Sequence, residues 1–307
     1  MRPLGLLLPF LLLGAAPPVA NEKTIHVPLW VAAGGDSGLT AANVSAKLEG
    51  RPATVRSLLG PDDPLLLLIV TDMVGDVSAI APAKQALIEA VRQLPATAHA
   101  GLLRAQDGLN VVLDPTADRE ALAAAIEAMT ISGNAGMLNT VETIARIADG
   151  ILQKSAVRVA VLYVTDSDIR NYREDYTNPV INYSDPHDMS RRFPEGLIRE
   201  KISKLDGVLA RLEAPLFVVH LDYRSETLNE AYQVGLKQLA ATTGGASSFC
   251  RSNAEIPGAI KEMFRTILSY YRLDLQLPAR YPKIVKVELS SDGRNLNYRT
   301  EFRLDGR

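Results

Sequence analysis

Leu65 to Thr71 reads LLLLIVT, an apolar run with no polar residue until its end. A strand with one wet face alternates, so a run without alternation marks a strand covered on both faces. Val157 to Thr165 (VRVAVLYVT) and Leu216 to Leu221 (LFVVHL) have the same character. Between and after them lie segments with apolar residues at helical spacing: 80–94, 118–129, 138–152, 196–212, 228–241 and 256–270. His99 to Ala105 and Leu109 to Leu113 flank Gln106–Asp107–Gly108, a hairpin signal, and Ser247 to Cys250 reads as a short strand. Strands alternating with helices in this way predict an α/β fold with a doubly wound, mostly parallel, Rossmann-like sheet.

The two ends of the chain read differently. Thr24 to Val31, Val44 to Leu48 and Ala53 to Leu58 have strand character, the last two bracketing a Glu49–Gly50–Arg51–Pro52 turn. Trp30 is expected in the core of this small β-segment. After the last helix, Tyr271 to Leu277, Ile284 to Leu289 and Tyr298 to Leu304 alternate with turns between them and no helix, so they are not parallel neighbours. The expected organisation is a signal peptide over 1–20, an N-terminal β-segment over 21–60, an α/β domain over 61–270, and a C-terminal β-segment over 271–307 pairing with 21–60. The signal reading rests on Arg2 followed by the apolar stretch Leu4 to Ala16, which is short for a membrane span. The mature chain is therefore expected to be exported, periplasmic or extracellular, with no span after cleavage.

Composition removes several classes of function. Thirty-three basic against 35 acidic residues leave a formal charge of −2, which gives no overall basic field for nucleic acid. Cys250 stands alone, so no intramolecular disulfide and no cysteine-built zinc cluster can form. No Gly-x-Ser-x-Gly elbow, dinucleotide fingerprint or Walker A motif is present. His26, His99, His187 and His220 lack metalloprotease spacing; His220, inside LFVVHL, reads as a core histidine and Cys250 as a small buried hydrophobe. No catalytic residue is assigned, and the chain reads as a non-enzyme.

In an open α/β sheet, ligands bind at the carboxyl ends of the strands. Two of those ends are acidic here: 65–71 runs into Asp72–Met73–Val74–Gly75–Asp76, and 157–165 into Asp166–Ser167–Asp168. On these residues the chain resembles the von Willebrand factor A family, and within it the related domain of secreted, Acidobacteria-type bacterial proteins. The resemblance covers most of the mature chain, including LLLLIVTD, AVLYVTDSD and the β tail after Tyr270–Tyr271. It implies an adhesion or scaffold module that recognises a protein partner at the carboxyl edge. Family members with a metal-ion-dependent adhesion site carry Asp-x-Ser-x-Ser, a loop threonine and a final aspartate. Here Asp72 and Asp166 match the aspartates, Val74 and Asp76 stand at the serine positions, and Gly136 stands where the hydroxyl should be.

Val74 and Gly136 supply no side-chain oxygen, so the expected site is degenerate and no cofactor is assigned. The one open alternative is Mg²⁺ or Ca²⁺ held by Asp72, Asp76 and Asp166. Partner contacts are expected from the long polar stretch 167–194, through Ser167, Asp168, Tyr172, Tyr176 and Tyr183, because a loop of that length is usually functional or disordered. Two other functions stay open at this level: a metal-dependent hydrolase built on the three carboxylates, and a purely structural subunit.

Overall fold

The computed structural model describes residues 23–32, 38–75, 77–172 and 194–304. The chain opens with four strands, β1 (Thr24–Val31), β2 (Val44–Leu48), β3 (Arg51–Pro52) and β4 (Val55–Leu59). Strands and helices then alternate: β5 (Leu65–Asp72), α1 (Val77–Arg92), β6 (Ala98–Arg104), β7 (Asn110–Thr116), α2 (Arg119–Ala128), α3 (Met137–Leu152) and β8 (Arg158–Thr165). The series continues with α4 (Pro194–Leu209), β9 (Leu216–His220), α5 (Thr227–Thr242), β10 (Ser247–Phe249) and α6 (Ile256–Ser269). Four strands close the described chain, β11 (Tyr271–Gln276), β12 (Ile284–Ser291), β13 (Leu296–Tyr298) and β14 (Glu301–Arg303).

The central sheet has the order β10-β9-β8-β5-β6-β7, parallel except for β7. Its apolar runs divide their side chains between two cores. Leu65, Leu67 and Ile69 of β5, with Ala160, Leu162 and Val164 of β8, pack under α1, α2 and α6. Leu68 and Val70, with Val159, Val161 and Tyr163, pack under α3, α4 and α5. Burial on both faces is why neither strand alternates. The fold is the doubly wound α/β class read from the sequence. Strand order reverses between β5 and β8, which puts a crevice between the ends of those two strands.

The two ends of the chain interleave in two further sheets, β13-β1-β11-β4 and β14-β12-β2-β3. Leu59 and Arg272 are register partners in the β4–β11 pair, so the α/β unit leaves and re-enters this β-module at adjacent positions. Both β1 and β11 are buried on two sides, and their period of two sorts the contacts. Ile25, Val27, Leu29, Tyr271, Leu273 and Leu275 fill the module's own core with Phe302. The intervening His26, Trp30, Arg272 and Asp274 engage the α/β unit or one another. Trp30 therefore departs from its expected place: its Nε1 donates to the Thr266 carbonyl at 2.8 Å, and its ring packs against Phe217 and Tyr270.

Two other local readings are corrected. Val44–Leu48 does not form a hairpin with 53–58. Glu49 and Gly50, at φ 51° and 72°, turn β2 into the two-residue β3, while β4 pairs with β11 in the other sheet. Ala53 N–H still donates to the Ala46 carbonyl at 2.9 Å, and the chain leaves β2 after it. The tail 298–304 is two strands rather than one, because Arg299 turns inward between them and donates to the Leu212 and Ala210 carbonyls.

Arginines fasten the module to the amino ends of the sheet strands. Arg158, at the start of β8, donates to the carbonyls of Pro61 (2.7 Å), Asp63 (3.0 Å), Leu268 (3.1 Å) and Tyr270 (3.0 Å). Arg272 donates to the Ser155 and Val157 carbonyls, each at 2.7 Å, and pairs with Asp274, which His26 Nδ1 also meets at 2.7 Å. The Glu213 carboxylate accepts from the His26 N–H (2.8 Å) and from Gln153 Nε2 (2.9 Å), and burial holds its pKa above the usual range.

Candidate functional site

The crevice between β5 and β8 brings Asp72 and Asp166 to one edge. Asp72 is 0% exposed, and its carboxylate accepts the N–H groups of Gly136 (2.9 Å) and Met137 (3.0 Å) at the start of α3. Thr165 Oγ1 lies 3.4 Å from the same carboxylate. Asp166 accepts from Val74 N–H at 2.7 Å and Gly75 N–H at 2.8 Å, in the turn that leads into α1. Asp72 thus answers N–H groups that the start of α3 leaves without an intrahelical partner, and Asp166 answers the loop N–H groups just before α1. Burial pushes the Asp72 carboxyl up to about 6; the Gly136 and Met137 N–H groups pull the other way, and the charge of Asp166 adds to the rise.

Backbone groups already occupy both described carboxylates. Hard divalent cations take about six or more oxygens, whereas every oxygen of the two described carboxylates already accepts a backbone N–H. Val74 is apolar and packs against the α3-side core. Gly136 cannot regain a hydroxyl by simple substitution, since a Cβ there would stand 1.7 Å from the Ala105 carbonyl oxygen. Among the described residues no three His, Cys, Asp or Glu side chains gather as a metal-binding group. Asp76 lies outside the described residues.

The stretch from Ser167 begins as a fixed structure. Ser167 Oγ links Thr165 Oγ1 (2.6 Å) to the Tyr232 hydroxyl (2.7 Å), and its carbonyl meets His220 Nε2 at 2.8 Å. Asp168 pairs with Arg224 at 2.5 Å, and Ile169 N–H donates to Asn229 Oδ1 at 3.0 Å. Ser167 and Asp168, expected to touch a partner, are instead buried at 0% and 5% exposure and bonded inward. They position the stretch rather than present themselves. The side chain of Tyr172, and all of Tyr176 and Tyr183, lie outside the described residues.

His220 is not arranged as a base: burial lowers its pKa, its Nε2 is committed to the Ser167 carbonyl, and its ring stacks on Phe249. Burial likewise pushes the Cys250 thiol up to about 11, away from nucleophilic character. Sequence reading passed over Gln106, whose Nε2 holds the Met73 carbonyl at 2.8 Å, and the Arg224–Asn229–Gln233 group. No motif marks these residues. Arg158 did leave a signal, a lone charge inside an otherwise apolar strand.

No protein-family model matches the chain, and no curated protein matches it. Among solved structures it is similar to a von Willebrand factor type A protein from Catenulispora acidiphila, at 13% identity over 92% of this chain and 72% of that one, with a TM-score of 0.43. It is also similar to the von Willebrand domain of the type V pili tip protein Mfa5 from Porphyromonas gingivalis, at 14% identity over 68% and 96%, with a TM-score of 0.44. A third likeness is to proximal thread matrix protein 1 from the mussel byssus, solved with zinc in its MIDAS motif, at 11% identity over 72% and 50%, with a TM-score of 0.46. At these scores the fold rests on the strand order described above, not on the likenesses.

Proposed function

We propose that this chain is an exported interaction or scaffold module of the von Willebrand A type, related to the secreted bacterial branch of that family. Its protein partner docks at the carboxyl edge of the central sheet through the 167–194 stretch, without a bridging cation and without catalysis. The observation that carries this reading is the commitment of Asp72 and Asp166 to backbone N–H groups, beside a stretch whose base is bonded to α5 and the segment before it. The export part of the proposal rests on the Arg2 and Leu4-to-Ala16 pattern.

The buried Cys250 makes the test clean, because an added cysteine becomes the accessible thiol. A label-transfer photo-crosslinker on Ser184→Cys should mark a partner in the native envelope fraction, and one on Arg280→Cys should not. The mark should persist in EDTA. Equal marking from both positions removes the edge assignment, and a mark abolished by EDTA and restored by Mg²⁺ or Ca²⁺ removes the cation-free part.

A further inference from the structure

At the mouth of the β-module, between its two sheets, lies a cleft of about 610 Å³. Its walls include the buried Leu48, Leu277 and Val285. Tyr281 lines it too; this residue is 6% exposed, and its buried hydroxyl has no hydrogen-bond partner among the described residues. A buried hydroxyl without a partner is rare in a folded protein and calls for a ligand or a solvent molecule. Arg51 and Arg280 stand at the rim, exposed, and their side chains make no hydrogen bond or ion pair among the described residues. The lining carboxylate, Glu49, is turned aside and accepts the Lys286 N–H at 2.6 Å.

We propose that this cleft binds a small amphipathic anion, an apolar chain ended by a carboxylate or phosphate. The apolar walls take the chain, the Tyr281 hydroxyl supplies one hydrogen bond, and the two guanidiniums meet the head group. The lining mixes polar and apolar surface, and the volume is in the usual range for a small-molecule site. Guanidinium forks match carboxylate and phosphate geometry. The site belongs to the β-module, so it stands or falls separately from partner docking at the sheet edge.

Calorimetry on the whole mature chain with decanoate, decyl phosphate and decanol tests the assignment. At least one anion should bind tenfold or more tighter than decanol, which lacks the charge. The Arg51→Ala/Arg280→Ala double variant should weaken that anion by about tenfold and leave decanol unchanged, and Tyr281→Phe should weaken it by about tenfold. Thermal melting of the ligand-free Tyr281→Phe protein should match or exceed wild type, because the lost hydroxyl had no partner. The proposal is overturned if neither anion binds below millimolar concentration, or if anion and alcohol bind alike. It also fails if both variants bind like wild type, or if Tyr281→Phe melts well below it.

Discussion

The two ends of the central sheet solve the same problem with opposite charges. At the amino end, Arg158, Arg272 and Arg299 are buried, and each donates to backbone carbonyls. Several of those carbonyls belong to residues at or just past helix C-termini: Leu268 and Tyr270 for α6, Ser155 for α3, Ala210 and Leu212 for α4. At the carboxyl end, Asp72 and Asp166 are buried and accept N–H groups at or before the starts of α3 and α1. The helices that follow parallel strands run antiparallel to them, so the starts of α1 and α3 to α6 gather at one edge and their ends at the other; α2, which follows the antiparallel β7 and starts beside Pro95 and Ala98, runs the opposite way. Partial positive charge collects at the first edge and partial negative charge at the second. The comparison teaches that a buried aspartate at the strand ends of such a sheet needs no metal to explain it. Helix polarity favours the sign.

The largest expected effect lies at the amino end. Arg158→Met keeps the apolar stem but strands four carbonyls that the guanidinium now satisfies, and should lower the unfolding free energy by about 3 kcal/mol or more. Urea denaturation reads this directly, and the loss should not vary between pH 4 and pH 8. A loss below about 1 kcal/mol would mean that water replaces the arginine at little cost, and the symmetry between the two ends would break.

A comparable effect, but a pH-dependent one, belongs to the carboxyl end. Burial raises the Asp72 carboxyl from 3.8 to about 6. Between those values the folded chain holds a proton that the unfolded chain has released. The linked stability is therefore full below about pH 4 and lost as pH rises through about 6. Asp72→Asn does not titrate, so wild-type stability relative to this variant should fall by about 3 kcal/mol from pH 4 to above pH 6. Denaturation curves for the two proteins that stay parallel across this range would show that the N–H groups of Gly136 and Met137 compensate the carboxylate fully.

The smallest effect sharpens the comparison at the base of the 167–194 stretch. The Arg224–Asp168 pair is partly exposed on the arginine side, at 32% against 8%. Arg224→Met should lower stability by only about 1 kcal/mol, and less in high salt. A loss as large as that of Arg158→Met would make this pair part of the core rather than a local fastening.

The α/β class was legible because LLLLIVT and its counterparts are buried on both faces, and two-sided burial writes itself into sequence as a run without alternation. The arrival of Asp72 and Asp166 at one edge followed from the same strands. What those carboxylates bond to was not legible, since their partners are main-chain N–H groups whose positions depend on how two loops fold. The steric closure at Gly136 was hidden for the same reason: the obstructing atom is the Ala105 carbonyl, distant in sequence. The Glu49–Gly50 turn was visible and a pairing of 21–60 with 271–307 was expected, but that Val55–Leu59 leaves β2 to join β11 was not, because local turn chemistry does not say which strand takes the distant partner. Trp30 was misassigned because alternation names two faces and does not say which of them meets a second domain.

The register of β4 against β11 has a mechanical consequence. The α/β unit hangs between Leu59 and Arg272, which are paired side by side. A pull transmitted along the chain from residue 23 and from residue 304 passes through the β1–β11 and β1–β13 ladders. Along the covalent chain it extends the α/β unit only after β4 has been torn from β11. The backbone of the central sheet therefore stays out of the covalent load path until the β4–β11 pair fails.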